Sequence, residues 1–123
     1  MNNTVNSRKN AARMEKTQRN IDAGFVKAQF PEISGIVINM IYNQRGIQKS
    51  LPRVVNFFPG SYAVFRIDCL NKDCVAGGFD LTQVITGMIR NRREASRGDL
   101  SCEGDGPSAG HSSIAYEVSI EYI

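Results

Sequence analysis

Residues 69–93 contain the first two cysteines of the chain and its clearest helical pattern. They read CLNKDC at 69–74, VAGGF at 75–79 and DLTQVITGMIRNRR at 80–93. Apolar residues recur every three or four positions in the last segment, at Leu81, Val84, Ile85, Met88 and Ile89. This spacing predicts a helix that faces the core, with Asp80 as its N-cap and Gln83 completing a capping box. Gly87 interrupts the helix interior and suggests a close approach to a neighbouring sheet.

Extended segments lie on both sides of this helix. Alternating apolar and polar residues predict strands at 33–42, 53–58, 62–69, 98–102 and 114–123. No helical crossover separates the first three, so we expect them to be antiparallel neighbours in sequence order. The chain is therefore predicted to be an α+β protein of order α-β-β-β-α-β-β. It would have an antiparallel sheet of about five strands, an N-terminal helix and one amphipathic helix.

The N-terminal segment carries the positive charge of the chain. A helical pattern runs from Ser7 to about Ala28, with Met14, Ile21 and Phe25 on one stripe. Residues 1–30 hold six basic and two acidic groups, whereas residues 31–123 are close to neutral. We interpret residues 1–30 as a basic helical arm and residues 31–123 as a single α+β domain. The basic groups proposed to contact nucleic acid or a partner are Arg8, Lys9, Arg13, Lys16 and Arg19.

Composition limits the class of protein. The hydrophobic and charged fractions are 41% and 22%, as in ordinary globular domains. The longest apolar stretch, at residues 36–42, is interrupted by Asn39 and is far shorter than the ~20 residues that cross a bilayer. The first residues also lack the apolar core of a secretory signal. We therefore expect a cytoplasmic protein without a membrane segment, in which cysteines are ligands or thiols more often than disulfides.

The three cysteines and the single histidine have a spacing that suggests a metal site. Cys69 and Cys74 form C-x4-C, 27 residues follow, and Cys102 and His111 form C-x8-H. Sulfur and imidazole donors in two pairs suit tetrahedral zinc, so we predict a structural zinc site from these four residues. The pattern resembles zinc-ribbon and treble-clef arrangements in general, although it lacks their C-x2-C pairs. A disulfide, Cys69–Cys74 or Cys74–Cys102, and ordinary thiols are the alternatives.

Three features of the sequence suggest other functions. Gly77 and Gly78, just before a helix, suggest an anion site, but Asp80 would repel the anion. A nucleophilic pair of His111 with Cys74 or Cys102 would make a thiol-dependent enzyme. The basic arm suggests a nucleic-acid-binding accessory protein, although no recognised binding motif is present.

The favoured prediction is a non-catalytic module that associates with another protein or with a second copy as a homodimer. The arm would pack on the partner, because its first half is too polar to fold stably alone. The last strand, if it lies at a sheet edge, would offer backbone for pairing.

Overall fold

The computed structural model describes residues 3–44, 46, 50–70, 74, 77–102 and 111–123, with the backbone alone for residues 3–9 and 12. Three helices and six strands occupy these residues. In chain order they are α1 (Asn3–Ala23), α2 (Val26–Gln29), β1 (Ile33–Gln44), β2 (Ser50–Phe57), β3 (Arg66–Asp68), β4 (Gly78–Asp80), α3 (Thr82–Arg90), β5 (Ala95–Ser101) and β6 (Ser112–Tyr122). The α+β class and the approximate element order are as predicted.

The main sheet has four antiparallel strands in the order β2-β1-β6-β5. Ile38 in β1 lies opposite Val55 of β2 on one side and Val118 of β6 on the other. Ile36, Ile38 and Val118 are fully buried, whereas Asn39 and Ile41 on the opposite face of the sheet are exposed. The alternation seen in the sequence therefore separates a buried inner face from an outer face open to solvent.

The inner face is covered by α3 and by a second, small sheet. Leu81, Ile85 and Met88 of the predicted stripe are buried against the core. The side chain of Asp80 accepts a hydrogen bond from the backbone N–H of Thr82 at 2.9 Å and so caps α3. The N-cap position itself is occupied by Leu81, one residue later than predicted. The expectation for Gly87 was wrong, because a β carbon built there meets no atom within 4 Å.

Two details of the predicted sheet were wrong. The predicted strand at 62–69 is reduced to β3, which pairs with β4 in a separate two-stranded sheet rather than joining the main sheet. The expected sheet of about five strands is thus one of four strands and one of two. The last strand is not an edge, because β6 lies between β1 and β5. Alternation reports which side chains are buried, as at Phe65 and Ile67, but not which strands pair.

The N-terminal helix is interrupted at Gly24. Its φ of +70° lies in the left-handed region, so α1 ends at Ala23 and the short α2 follows. The predicted stripe stays largely in solvent, because Met14 is 72% exposed and Ile21 60% exposed, while Val26 is the residue that reaches the core. No helix among the described residues is long and apolar enough to cross a membrane.

Candidate metal centre

Four side chains that could ligate a metal meet at one end of the molecule. The Sγ atoms of Cys69, Cys74 and Cys102 and a ring nitrogen of His111 all lie within 4.8 Å of one another. These are the four residues predicted from the sequence to bind zinc, and the structure brings all of them together. Their proximity is sufficient to hold a metal ion.

The first pair of candidate ligands lies between two short strands. Cys69 directly follows β3, and Cys74 precedes β4. Asp68 lies opposite Gly78, and the backbone N–H of Cys69 donates to the carbonyl of Gly77 at 3.3 Å. A β carbon at Gly78 would lie only 2.5 Å from the backbone oxygen of Ile67, so this close approach of the two strands requires glycine.

The glycines therefore serve strand pairing rather than anion binding. Gly78 is part of β4, and α3 begins only at Thr82, so the pair of glycines does not form the first turn of that helix. The phosphate site considered at Gly77 and Gly78, already disfavoured because Asp80 would repel an anion, is contradicted for this reason as well.

The second pair is brought together by the register of β5 and β6. Ser101 lies opposite Ser113, which places Cys102 opposite Ser112 and beside His111. The backbone N–H of Cys102 donates to the carbonyl of Ser112 at 2.9 Å. Residues 103–110, between the two ligands in the chain, lie outside the described residues. Pairing of the flanking strands is enough to explain why residues nine positions apart meet.

The distances between donor atoms resemble those of a tetrahedral site. With zinc–sulfur bonds of about 2.3 Å, two sulfurs on one zinc lie about 3.8 Å apart. The Sγ atoms of Cys74 and Cys102 are 3.7 Å apart. Cys69 Sγ and His111 Nε2 are 3.1 Å apart, a hydrogen-bonding distance that would lengthen by roughly half an ångström around zinc. These two distances are close to tetrahedral values, and any donor pair near the 4.8 Å limit would need to close by about 1 Å around an ion.

Cys69 has two further polar neighbours that sequence reasoning missed. Its Sγ lies 3.3 Å from Ser112 Oγ and 3.7 Å from Tyr42 Oη. Ser112 and Tyr42 are each only 3% exposed. Hydroxyl groups at these distances can donate to a thiolate and stabilise its charge in a metal-bound state. Tyr42 lies in β1 and is brought next to Cys69 by tertiary packing. No local sequence pattern predicts this contact.

Burial keeps two of the thiols protonated. Cys102 is 3% exposed, and burial raises the pKa of its thiol to about 12, with a further contribution from the hydrogen bond to Cys74. Burial also raises the pKa of Cys74, which is half-buried. At neutral pH these groups are neutral without a metal, so an ion that binds them must displace their protons. The structure has all three cysteines as free thiols rather than in either of the disulfides considered above.

The other predicted site residues belong to α1 and are not among the candidate metal ligands. Arg13, Lys16 and Arg19 are exposed on α1, and Lys16 forms an ion pair with Asp68 at 2.7 Å. The side chains of Arg8 and Lys9 lie outside the described residues. The pairing of His111 with Cys74 or Cys102 stays a prediction: His111 Nε2 lies 3.1 Å from Cys69 Sγ, and the sulfurs of Cys74 and Cys102 lie within 4.8 Å of a nitrogen of the same ring.

Comparisons with protein-family models, curated proteins and solved structures found no match to this chain.

Proposed function

We propose that this chain is a non-catalytic α+β module stabilised at one end by a structural zinc ion. Cys69, Cys74, Cys102 and His111 would be the ligands. The observation that carries this proposal is the convergence of the four donor atoms within 4.8 Å. Three sulfurs and one imidazole nitrogen form a donor set that favours zinc over the hard cations calcium and magnesium.

The donor set supports a structural rather than a catalytic ion. Catalytic zinc sites have three protein ligands and keep one position for water or substrate, whereas four protein donors close the tetrahedron. Cys102 is also buried, which limits access to one side of the cluster. A site of this kind stabilises the fold, and the chain would then act through its surface rather than by chemistry at the ion.

The place where the ion would act is the junction of two hairpins. β3 and β4 have three residues each, too few to be stable as an isolated pair. Cys69 and Cys74 lie between β3 and β4 in the chain, whereas Cys102 and His111 flank β5 and β6 of the main sheet. One ion bound to both pairs would fix the small sheet on the main sheet, and its binding energy would contribute to folding.

Metal content of the purified full-length chain tests the proposal. We expect one equivalent of zinc by elemental analysis, lost in Cys74→Ser and Cys102→Ser and retained in a control, Ser119→Ala, on the outer sheet face. Loss of zinc should lower the melting temperature of the wild type. A metal-free chain whose melting temperature is the same with and without a chelator would contradict the proposal.

We also propose that the module works in the cytoplasm and associates through α1. Three thiols without a disulfide are typical of a reducing compartment. Met14 and Ile21 are mostly exposed on α1, and Phe25 is 42% exposed just after it. Such apolar side chains on one stripe suit contact with a partner helix or with a second copy of the chain.

Sedimentation velocity tests self-association. The wild type should form a dimer, and Met14→Ser with Ile21→Ser should raise the dimer dissociation constant at least about tenfold. A matched double variant on the same helix, Glu15→Ser with Asp22→Ser at two exposed positions, should dimerise like the wild type. A strictly monomeric wild type would contradict the homodimer and leave only a different protein as partner.

A groove beside α1 favours a second candidate function, binding of single-stranded nucleic acid. The groove has a volume of about 280 Å³, and Lys16, Arg53, Arg66 and Tyr62 contribute to its lining. Tyr62 stacks on Phe25 with ring centroids 5.1 Å apart, and both rings are partly exposed. Cationic side chains beside exposed aromatic rings are the combination that such proteins use for phosphates and bases.

Fluorescence anisotropy with a labelled single-stranded oligonucleotide tests this candidate. Binding should weaken as salt is raised and should fall in Arg53→Ser. Arg97→Ser, on the far edge strand β5, is the matched control and should bind like the wild type. Equal binding by the two variants, or no binding at low salt, would contradict this function.

A further inference from the structure

We propose that Cys74 and Cys102 form a dithiol that hydroperoxides oxidise to a disulfide, with release of the bound metal. This inference rests on the proposed zinc site and adds a chemical modification of it. The two sulfurs are 3.7 Å apart without an intervening atom, compared with about 2.05 Å in a disulfide. To form the bond, the two sulfurs must therefore move closer to each other by less than about 2.05 Å, the length of the bond itself.

The surroundings of the third cysteine favour this pairing. Cys69 Sγ has a ring nitrogen of His111 at 3.1 Å and hydroxyl groups of Ser112 and Tyr42 within 3.7 Å. These polar contacts hold its sulfur on the side of the cluster formed by β1 and β6. Cys74 and Cys102 are hydrogen-bonded to each other and also to Cys69, and a Cys74–Cys102 disulfide would link the two hairpins that the ion links in the reduced protein.

Exposure suggests the order of the two steps. Cys74 is half-buried, whereas Cys102 is 3% exposed. A hydroperoxide reaches the more exposed sulfur first, so Cys74 is the residue oxidised by the peroxide and Cys102 is the resolving cysteine. In the zinc-bound protein both sulfurs are thiolates, the form that reacts with peroxide.

The reaction balances with the peroxide as the only oxidant. The Cys74 sulfur attacks one peroxide oxygen, a sulfur–oxygen bond forms, the oxygen–oxygen bond breaks, and an alcohol or water leaves. The Cys102 sulfur then attacks the sulfenic acid, a sulfur–sulfur bond forms, and hydroxide leaves; one proton from solvent in each step converts the leaving oxyanion to alcohol or water. Two thiols are oxidised and one hydroperoxide is reduced. Cys69 and His111 are the two ligands that remain, too few to retain structural zinc.

The test uses hydrogen peroxide on the zinc-loaded full-length chain. Zinc release is followed with a coloured chelator, and disulfides are mapped by differential alkylation and peptide mass spectrometry. We expect one disulfide, between Cys74 and Cys102, for each zinc released, and recovery of zinc binding after a dithiol reductant. The peptide that contains Cys69 should remain open to alkylation. A disulfide that includes Cys69, or sulfinic acid without any disulfide, would overturn the inference.

Two variants check the assigned roles. Cys102→Ser should leave a sulfenic acid on Cys74 that a dimedone probe captures. Cys69→Ser should form the Cys74–Cys102 disulfide more slowly than the wild type, because burial keeps both thiols protonated without zinc, and this variant tests the pairing independently of metal binding. Capture of sulfenic acid on Cys102 in Cys69→Ser with Cys74→Ser, but not on Cys74 in Cys69→Ser with Cys102→Ser, would contradict the order of steps.

The two proposals can fail separately. A wild-type chain that binds no zinc before peroxide is added contradicts the proposed function. A chain that binds zinc but forms a different disulfide contradicts only the present inference.

Discussion

β1 in the main sheet is 12 residues long, whereas β3 in the small sheet has only three. β1 has neighbours on both sides and a continuous row of buried side chains, so burial of apolar surface explains its stability. The small sheet has Phe65 before it and Phe79 within it, and then the cluster of possible metal ligands. We infer that the stability of the main sheet depends on its apolar core, whereas that of the small sheet depends on its core together with the proposed ion.

The largest expected effect comes from the main sheet. Ile38→Ala removes a fully buried side chain between β2 and β6 and should lower the free energy of unfolding by roughly 2–5 kcal/mol. Urea denaturation of the zinc-loaded protein measures this. The neighbouring Val37→Ala, on the half-buried outer face, is the control and should cost less. Equal costs at the two positions would contradict the assignment of the core to the inner face.

The next effect concerns protons at the metal centre. Burial raises the pKa of both Cys102 and Cys74, so each holds its proton more tightly than an ordinary thiol. Zinc should release at least about two protons near neutral pH, and its apparent affinity should rise about a hundredfold per pH unit. Lowering the pH therefore weakens binding, and raising it strengthens binding.

Calorimetry in buffers of different ionisation enthalpy counts the protons released. Titrations at about pH 6.5 and about pH 7.5 give the affinity change once zinc binding by the buffer is subtracted. Ser119→Ala should reproduce the wild-type values. Zinc binding without proton release would contradict ligation by these two thiols.

Gly78 lies in the small sheet and Gly87 in the helix that follows it, so substitutions at these two glycines perturb the two elements separately. Gly78→Ala places a β carbon against the backbone oxygen of Ile67, so it should cost roughly 1–3 kcal/mol and weaken zinc binding. Gly87→Ala is the matched control, because its β carbon has open space in the interior of α3. It should stabilise the protein by up to about 1 kcal/mol. Thermal denaturation and zinc titration of both variants check this, and equal zinc affinity would contradict the role of Gly78.

The smallest effect concerns the cap of α3. Asp80→Ala removes an acceptor for the backbone N–H of Thr82 and should cost about 1 kcal/mol at neutral pH. Burial alone would raise the pKa of Asp80, but hydrogen bonds from the side chain and backbone of Thr82 hold it below the ordinary value of 3.8. The contribution is thus present above about pH 4 and disappears as the pH falls through the lower folded pKa.

Urea denaturation across acidic pH measures this contribution. The difference between wild type and Asp80→Ala should shrink as the pH falls below 3.8. Asp99→Ala, an exposed position on β5, serves as the control. A difference that grows on acidification would contradict the capping role.

The sequence predicted those parts of the fold that periodicity controls. Apolar spacing located α3 to within one residue at each end, and alternation located β1 and β6 to within two residues. It did not show that β3 pairs with β4, because pairing depends on partners distant in the chain. Gly24 was also missed as the end of α1, since a single glycine within a helical pattern does not by itself show a positive φ.

The sequence identified the residues of the candidate site but not the strand pairing and packing that bring them together. Cys74 stood out because it follows polar residues, where burial in the core does not explain a cysteine. The reason that Cys102 and His111 meet, the register of β5 and β6, could not be read from their spacing. Neither could the contact of Tyr42 with Cys69, which joins residues 27 positions apart.

X-ray absorption spectroscopy of the zinc-loaded full-length chain tests the central claim most directly. The account predicts three sulfur ligands at about 2.3 Å and one nitrogen ligand at about 2.0 Å around each zinc. A zinc ion with two or fewer sulfur ligands, or with oxygen in place of the imidazole nitrogen, would contradict the assignment of Cys69, Cys74, Cys102 and His111 as a closed structural site.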